Sequence, residues 1–147
     1  MADLLASGEL GALKSRQEVR KRFAASGEPM WRGDLVVLVD RGTLGAAEVL
    51  AAVLDDAAQA TIVGEPTFGH AGHRAQVELS SGGILELTDA FYTGPDGELL
   101  DDSLEPDLLV DERSRTLREQ DLTLDELILR RGLAAAREDA AGAKKAA

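Results

Sequence analysis

The chain has 147 residues, no cysteine and a net charge of −11. That length suits one domain with a real core, and the missing cysteines exclude disulfides, thiolate metal sites and a Cys nucleophile. The acidic balance argues against nucleic acid, whose phosphates need a positive surface, and no apolar run reaches the roughly 20 residues that span a bilayer, so no membrane insertion is expected.

Residues Met1 to Gly8 carry no basic start ahead of a long apolar stretch, so no secretion signal is visible; Met1 to Ser7 reads as one end of a helix. Glu9 to Lys14 reads as a short strand. Val19 and Phe23, four apart among Lys14, Arg16, Arg20, Lys21 and Arg22, predict a short amphipathic helix with a solvated basic face. Gly27 to Gly33, with Pro29, reads as a loop, and Trp31 within it as a packing anchor. Leu35 to Val39 is an unbroken apolar run, the pattern of a strand buried on both faces. Asp40 to Thr43 reads as a tight turn, and Ala46 to Ala57 as a helix with Val49/Val53 and Leu50/Leu54 paired four apart. Thr61 to Val63 is a second short strand. Strand, turn, helix and strand in that order predict a parallel βαβ unit.

Glu65 to Gly72 reads as a loop. Arg74 to Leu79 and Ile84 to Tyr92, joined through Ser80-Ser81-Gly82-Gly83, predict a β-hairpin. Gly94 to Gly97 is a turn. The acidic stretch Glu98 to Asp107 lacks the spacing of a calcium loop and reads as solvated surface. Thr123 and Glu126 form a capping box that opens the last helix. Residues 137–147 read as a flexible tail.

Several motifs stand in a fixed order: Leu35-Val36-Val37-Leu38-Val39-Asp40, Gly42-Thr43-Leu44-Gly45-Ala46-Ala47-Glu48, Ile62-Val63-Gly64-Glu65-Pro66-Thr67-Phe68-Gly69, Leu85-Glu86-Leu87-Thr88, Tyr92-Thr93 with Pro95 and Gly97, and Glu105-Pro106-Asp107. Together they resemble the carboxyl-terminal processing (tail-specific) serine peptidases. That family shows an apolar strand ending in Asn, then G-S-A-S-A-S-E, I-V-G-E-x-T-F-G, L-x-L-T, Y-x-T-P-x-G and E-P-D. The resemblance implies an α/β fold: a fragment of a ClpP/crotonase-like core, with a βαβ unit, a β-hairpin and a C-terminal helix. It also implies serine-type endopeptidase chemistry without a cofactor. Such chemistry needs a Ser at a helix N-terminus, a neutral Lys as base and backbone N–H donors for the oxyanion.

Aligned through Glu48, the family's nucleophile position is Gly45, and its base position is His70, at the family's own spacing. Asp56 matches an Asp of supporting role. The Gln that assists the Lys falls at Arg74, with Gln76 two residues on; Thr43, Leu44, Arg74 and Gln76 are the positions expected to face substrate. The family's upstream glycine-rich segment and PDZ domain have no counterpart, so residues 1–136 are expected to form a partial catalytic core. With Ser and Lys both replaced, the expectation is a catalytically inactive chain that binds peptide or protein C-termini. Full-length relatives would be periplasmic or cell-envelope proteins. Two alternatives stand beside this. One is a structural module that self-assembles into a homo-oligomer through edges a missing half would cover. The other is a divergent hydrolase with Thr43 as nucleophile and His70 as base, against which stands a plainer role for Thr43 as cap of the following helix. His70 and His73, with Glu65 nearby, lack a third ligand and read as exposed loop histidines rather than a metal site.

Overall fold

The computed structural model describes residues 7–31, 33–100 and 102–146. In chain order the elements are β1 (Glu9–Lys14), β2 (Val19–Ala24), β3 (Val36–Val39), α1 (Ala46–Ala58), β4 (Thr61–Gly64), β5 (Gly72–Glu78), β6 (Ile84–Thr93), β7 (Leu108–Leu109) and α2 (Leu124–Ala146), with 3-10 turns at Glu112–Ser114 and Leu117–Glu119. The strands form an antiparallel sheet, β2-β1-β6-β5, and a parallel one, β3-β4-β7. The architecture is mixed α/β. The helix end read into Met1 to Ser7 lies, apart from Ser7, outside the described residues.

The predicted βαβ unit is present, with Val36 to Val39 in parallel register against Thr61 to Gly64. Successive β4 side chains point to opposite faces, and each face gains its own cover. Ile62 packs with Val39, Ala51 and Leu54 under α1. Val63 packs with Val110, Leu127 and Ile128 under α2. A third cluster joins Leu10 to Val53, with Phe23 and Val49 against it. One helix, α1, is thereby held by both sheets, and its N-terminus is fixed relative to each.

Several readings need correction. The segment Val19–Ala24 is a strand, not a helix. A spacing of four puts Val19 and Phe23 on one side under either period, and the ladder offered by β1, together with the Phe23–Tyr92 ring contact at 6.0 Å, selects the strand. Next, β3 is an edge strand, and Leu38 remains 42% exposed, so the apolar run is not buried on both faces. The acidic loop is not wholly solvated either: Leu104 packs against the α1 cluster, and the Asp107 carboxylate accepts the Ile62 N–H at 2.8 Å, which starts β7 beside β4. Finally, Trp31 is 55% exposed, donates only to the Asp34 carbonyl at 3.2 Å, and anchors no core cluster. The hairpin and the capping box stand as read; the Thr123 hydroxyl accepts the Glu126 N–H, and Glu126 accepts the Thr123 N–H. Helix α2 runs on to Ala146, through the stretch read as a tail, where alanine favours continued helix.

Two predictions follow from this packing. Gly64 has φ +145°, and a Cβ there would stand 1.8 Å from the Val39 carbonyl oxygen. Gly64→Ala should therefore push β4 off β3 and cost at least about 2 kcal/mol in urea unfolding. The second concerns acid. Glu119 accepts from the Thr116 hydroxyl and N–H and from Arg131, which ties α2 to the preceding turn. The Thr116 donors first, then Arg131, bring its pKa from 4.5 to about 2. A depressed folded pKa gives stability that is complete above the unfolded value and lost as pH falls through the folded one. The Tm of the wild type should converge on that of Glu119→Gln as pH drops from about 4.5 to about 2.

Candidate functional site

Position 45 sits at the tip of a strand–turn–helix unit that Asp40 and Thr43 build. The Asp40 carboxylate accepts from the Gly42 N–H and the Thr43 hydroxyl, both at 2.9 Å. Thr43 Oγ1 accepts the Asp40 N–H at 3.1 Å, and the Thr43 N–H closes on the Asp40 carbonyl at 3.0 Å. Short polar side chains thus satisfy the turn's own backbone. Thr43 serves the turn rather than capping the helix, because the α1 N-cap is Gly45, with no side-chain cap at all.

Gly45 holds φ 61° and ψ −124°, a conformation that side chains rarely tolerate. A Cβ added there would meet nothing within 4 Å, so the tip points into open space. The Val49 N–H takes the Gly45 carbonyl at 3.0 Å. That leaves the N–H groups at the start of α1 without intrahelical partners, in the positive end of the helix dipole. Leu44 stands beside the tip, 49% exposed.

The loop after β4 is pinned over this tip. The Phe68 N–H donates to the Thr43 carbonyl at 3.0 Å. Glu48, in the first turn of α1 and 2% exposed, accepts from three groups of that loop: the Thr67 hydroxyl, the Gly69 N–H, and the His70 N–H at 2.9 Å. Thr67 Oγ1 in turn accepts the Leu104 N–H at 2.8 Å. Gly69, at φ +77°, lets the loop pass Ser103, whose N would lie 2.9 Å from an added Cβ. The Arg41–Glu65 pair at 2.9 Å closes the flank. The Thr67-to-His70 loop is therefore tied through its backbone to the turn and the first helical turn on either side of position 45. Glu48, Thr67 and Asp40 hold this arrangement; the sequence uses Glu48 only to align the motif and assigns none of the three a bonding role, and the signal for one is a Glu at the third helical position with no capping Ser or Thr for it to pair with.

The remaining site candidates disperse. His70 lines a cavity of about 210 Å³ with Arg74, Glu86 and Thr88, whereas Thr43 lines a separate one with Asp40, Asp125 and Ile128. Arg74 and Gln76 both engage Glu86, at 3.7 and 2.9 Å. Asp56 lies three turns along α1, about 16 Å from Gly45 along the axis, with its carboxylate toward Gly94. His73 is no loop residue. It stands on β5, with Nδ1 2.8 Å from Asp89, whose carboxyl Arg20 first and His73 second hold below its ordinary range. A larger apolar cavity, about 420 Å³, opens between α1 and the antiparallel sheet. Leu10, Phe23, Ala46, Val49 and Tyr92 line it, with Lys21 at its edge.

Residues 2–110 match Peptidase family S41. The chain belongs to that family. Among S41 relatives, the carboxyl-terminal-processing protease of Synechocystis sp. is 43% identical over 81 residues, 55% of this chain and 19% of the relative. The carboxy-terminal-processing protease of Bartonella bacilliformis is 29% identical over 97% of this chain and 34% of its own length. A chloroplastic C-terminal processing peptidase of Tetradesmus obliquus is 39% identical over 64% of this chain. The solved structure of a photosystem II D1 C-terminal processing protease superposes with a TM-score of 0.67 at 36% identity, covering 75% of this chain and 29% of that one. A Streptococcus agalactiae lipoprotein, TM-score 0.59 at 16% identity, shares the fold over 86% of this chain. This S41 chain thus spans about a fifth to a third of the length of the curated relatives it matches. No described helix is long and apolar enough to cross a membrane.

The pinned loop makes a direct prediction. Glu48→Ala leaves the Gly69 and His70 N–H groups without their acceptor and should cost about 3 kcal/mol. Amide exchange at both residues should accelerate by far more than at β4. Glu48→Gln, which keeps one acceptor oxygen, should show a smaller effect at the same amides.

Proposed function

We propose that this S41 chain is a peptide-binding core fragment of ClpP/crotonase-like type, residues 1–136, that does not hydrolyse peptide bonds. The observation that carries the reading is Gly45. A sharp strand-to-helix turn with a positive φ at its tip is how hydrolases expose a nucleophile, and here that tip has room for a side chain but no hydroxyl. The base position is an imidazole, and His70 lines a different cavity from Thr43. The Thr43 hydroxyl, the remaining candidate nucleophile, is held by Asp40 rather than by His70.

What remains suits binding. A carbonyl or terminal carboxylate of a peptide would meet the free N–H groups at the start of α1, with an apolar side chain entering the cavity that opens beside Ala46. Protein C-termini are the matching partners, and for full-length relatives the periplasm or cell envelope is the place where they would be met.

Fluorescence anisotropy with a labelled peptide ending in apolar residues, run beside a fluorogenic cleavage assay, tests this. Saturable binding without turnover, and no labelling by a fluorophosphonate probe, is the expected outcome. Ala46→Trp, at an exposed position on the cavity mouth, should weaken binding at least about tenfold, or about 1.4 kcal/mol. Turnover or labelling at Thr43 would overturn the non-hydrolytic reading, and absence of binding would overturn the peptide role.

A further inference from the structure

The β5–β6 hairpin leaves the body of the protein, and every residue from Gln76 to Thr88 is exposed. Its outer strand, β5, is the end of its sheet. A two-stranded ribbon alone in water is marginal and gains stability from a further strand, while an open edge offers a row of unpaired N–H and C=O groups to one. Natural edges are blunted by charges, above all lysine, by proline or by bulges. This one has no lysine or proline, its irregularity sits at its start between His73 and Arg74, and its charges, Arg74 and Glu78, are opposite in sign.

The edge is instead complementary to itself. Directly paired residues share a face, so Arg74, Gln76 and Glu78 lie on one face, opposite Thr88, Glu86 and Ile84. Ala75 and Val77 lie on the other, opposite Leu87 and Leu85, and no charge interrupts them. Now let β5 run antiparallel to a copy of itself about a two-fold axis at Gln76. Arg74 then stands opposite Glu78 of the second copy, and Glu78 opposite Arg74 of the second copy, while Ala75 meets Val77 twice on the apolar face. Both charges are available for this. The pairing of Arg74 with Glu86 is long, 3.7 Å, between side chains 60% and 49% exposed, a geometry worth little. Glu78 makes no ion pair among the described residues. A symmetric dimer requires this kind of isologous patch, and opposite charges facing across strands favour the register while like charges would oppose it.

We propose that β5 is the interface of a symmetric dimer, pairing antiparallel with β5 of a second copy about a two-fold axis through Gln76 to make one continuous eight-stranded sheet. The dimer needs neither the α1 N-terminus nor the cavity beside it, so it stands or falls apart from peptide binding.

Sedimentation velocity from low micromolar to millimolar concentration reads the association, and charge exchange reads the register. Arg74→Glu and Glu78→Arg, each placing like charges opposite one another twice, should raise the dimer dissociation constant about tenfold. The double exchange Arg74→Glu/Glu78→Arg restores opposite pairing and should recover wild-type association, which a merely structural role for either side chain would not do. Because the chain has no cysteine, Gln76→Cys places its thiol within disulfide reach of its own copy and should give a covalent dimer under mild oxidation, whereas Ser81→Cys at the hairpin tip should not. A chain that stays monomeric throughout leaves this edge to a strand of another protein and overturns the proposal. So does a dimer indifferent to both single charge changes, or one that fails to cross-link at position 76.

Discussion

One buried carboxylate organises the centre of this protein. Glu48 stands in the first turn of α1, where the helix dipole favours its charge, and it spends both oxygens on the loop from Thr67 to His70. A buried charge is tolerated only when its acceptor sites are filled. The side chain and the loop therefore require each other: without the loop Glu48 would be an unpaired buried ion, and without Glu48 the loop would carry orphaned N–H groups. The turn at Asp40 to Thr43 locks on from the other side through the Phe68 amide. Two segments separated by a whole βαβ crossover are thus fixed to one another at backbone level, whatever side chains they display.

That distinction between frame and displayed side chains explains how an S41 scaffold persists here with glycine at 45 and histidine at 70. The frame consists of backbone hydrogen bonds, the glycines at 64 and 69, and carboxylates that serve amides. None of it depends on a hydroxyl at 45 or an amine at 70. Replacing the reactive groups leaves the frame satisfied, and Gly45 even suits the positive φ at the tip better than a side chain would. Retention of the fold is therefore independent of which side chains stand at 45 and 70.

The sequence made the parallel unit, the hairpin and the α2 capping box legible because each depends on local pattern: period, turn residues and cap spacing. Elsewhere the pattern was ambiguous or the cause was distant. Val19 and Phe23 fit two periods equally, and only a neighbouring strand decides between them. Leu35 to Val39 looks like an interior strand, yet its place at a sheet edge depends on topology. Thr43 looked like a helix cap, but the nearer Asp40 backbone claims its hydroxyl. Asp107 lies in an acidic run that reads as solvent-facing, and its bond to Ile62 spans 45 residues. Asp56 sits in register with a family position yet lies three helical turns away from the tip.

The tip of α1 and the Thr67–His70 loop form one rigid unit through these bonds. The most direct measurement is the through-hydrogen-bond scalar coupling between the Phe68 amide nitrogen and the Thr43 carbonyl carbon in isotopically labelled protein. The account predicts a resolved cross-peak joining those two groups, together with downfield amide protons at Gly69 and His70, as expected for N–H groups donating to a carboxylate. No coupling, with Phe68 to His70 amides exchanging as fast as an open loop, would contradict it.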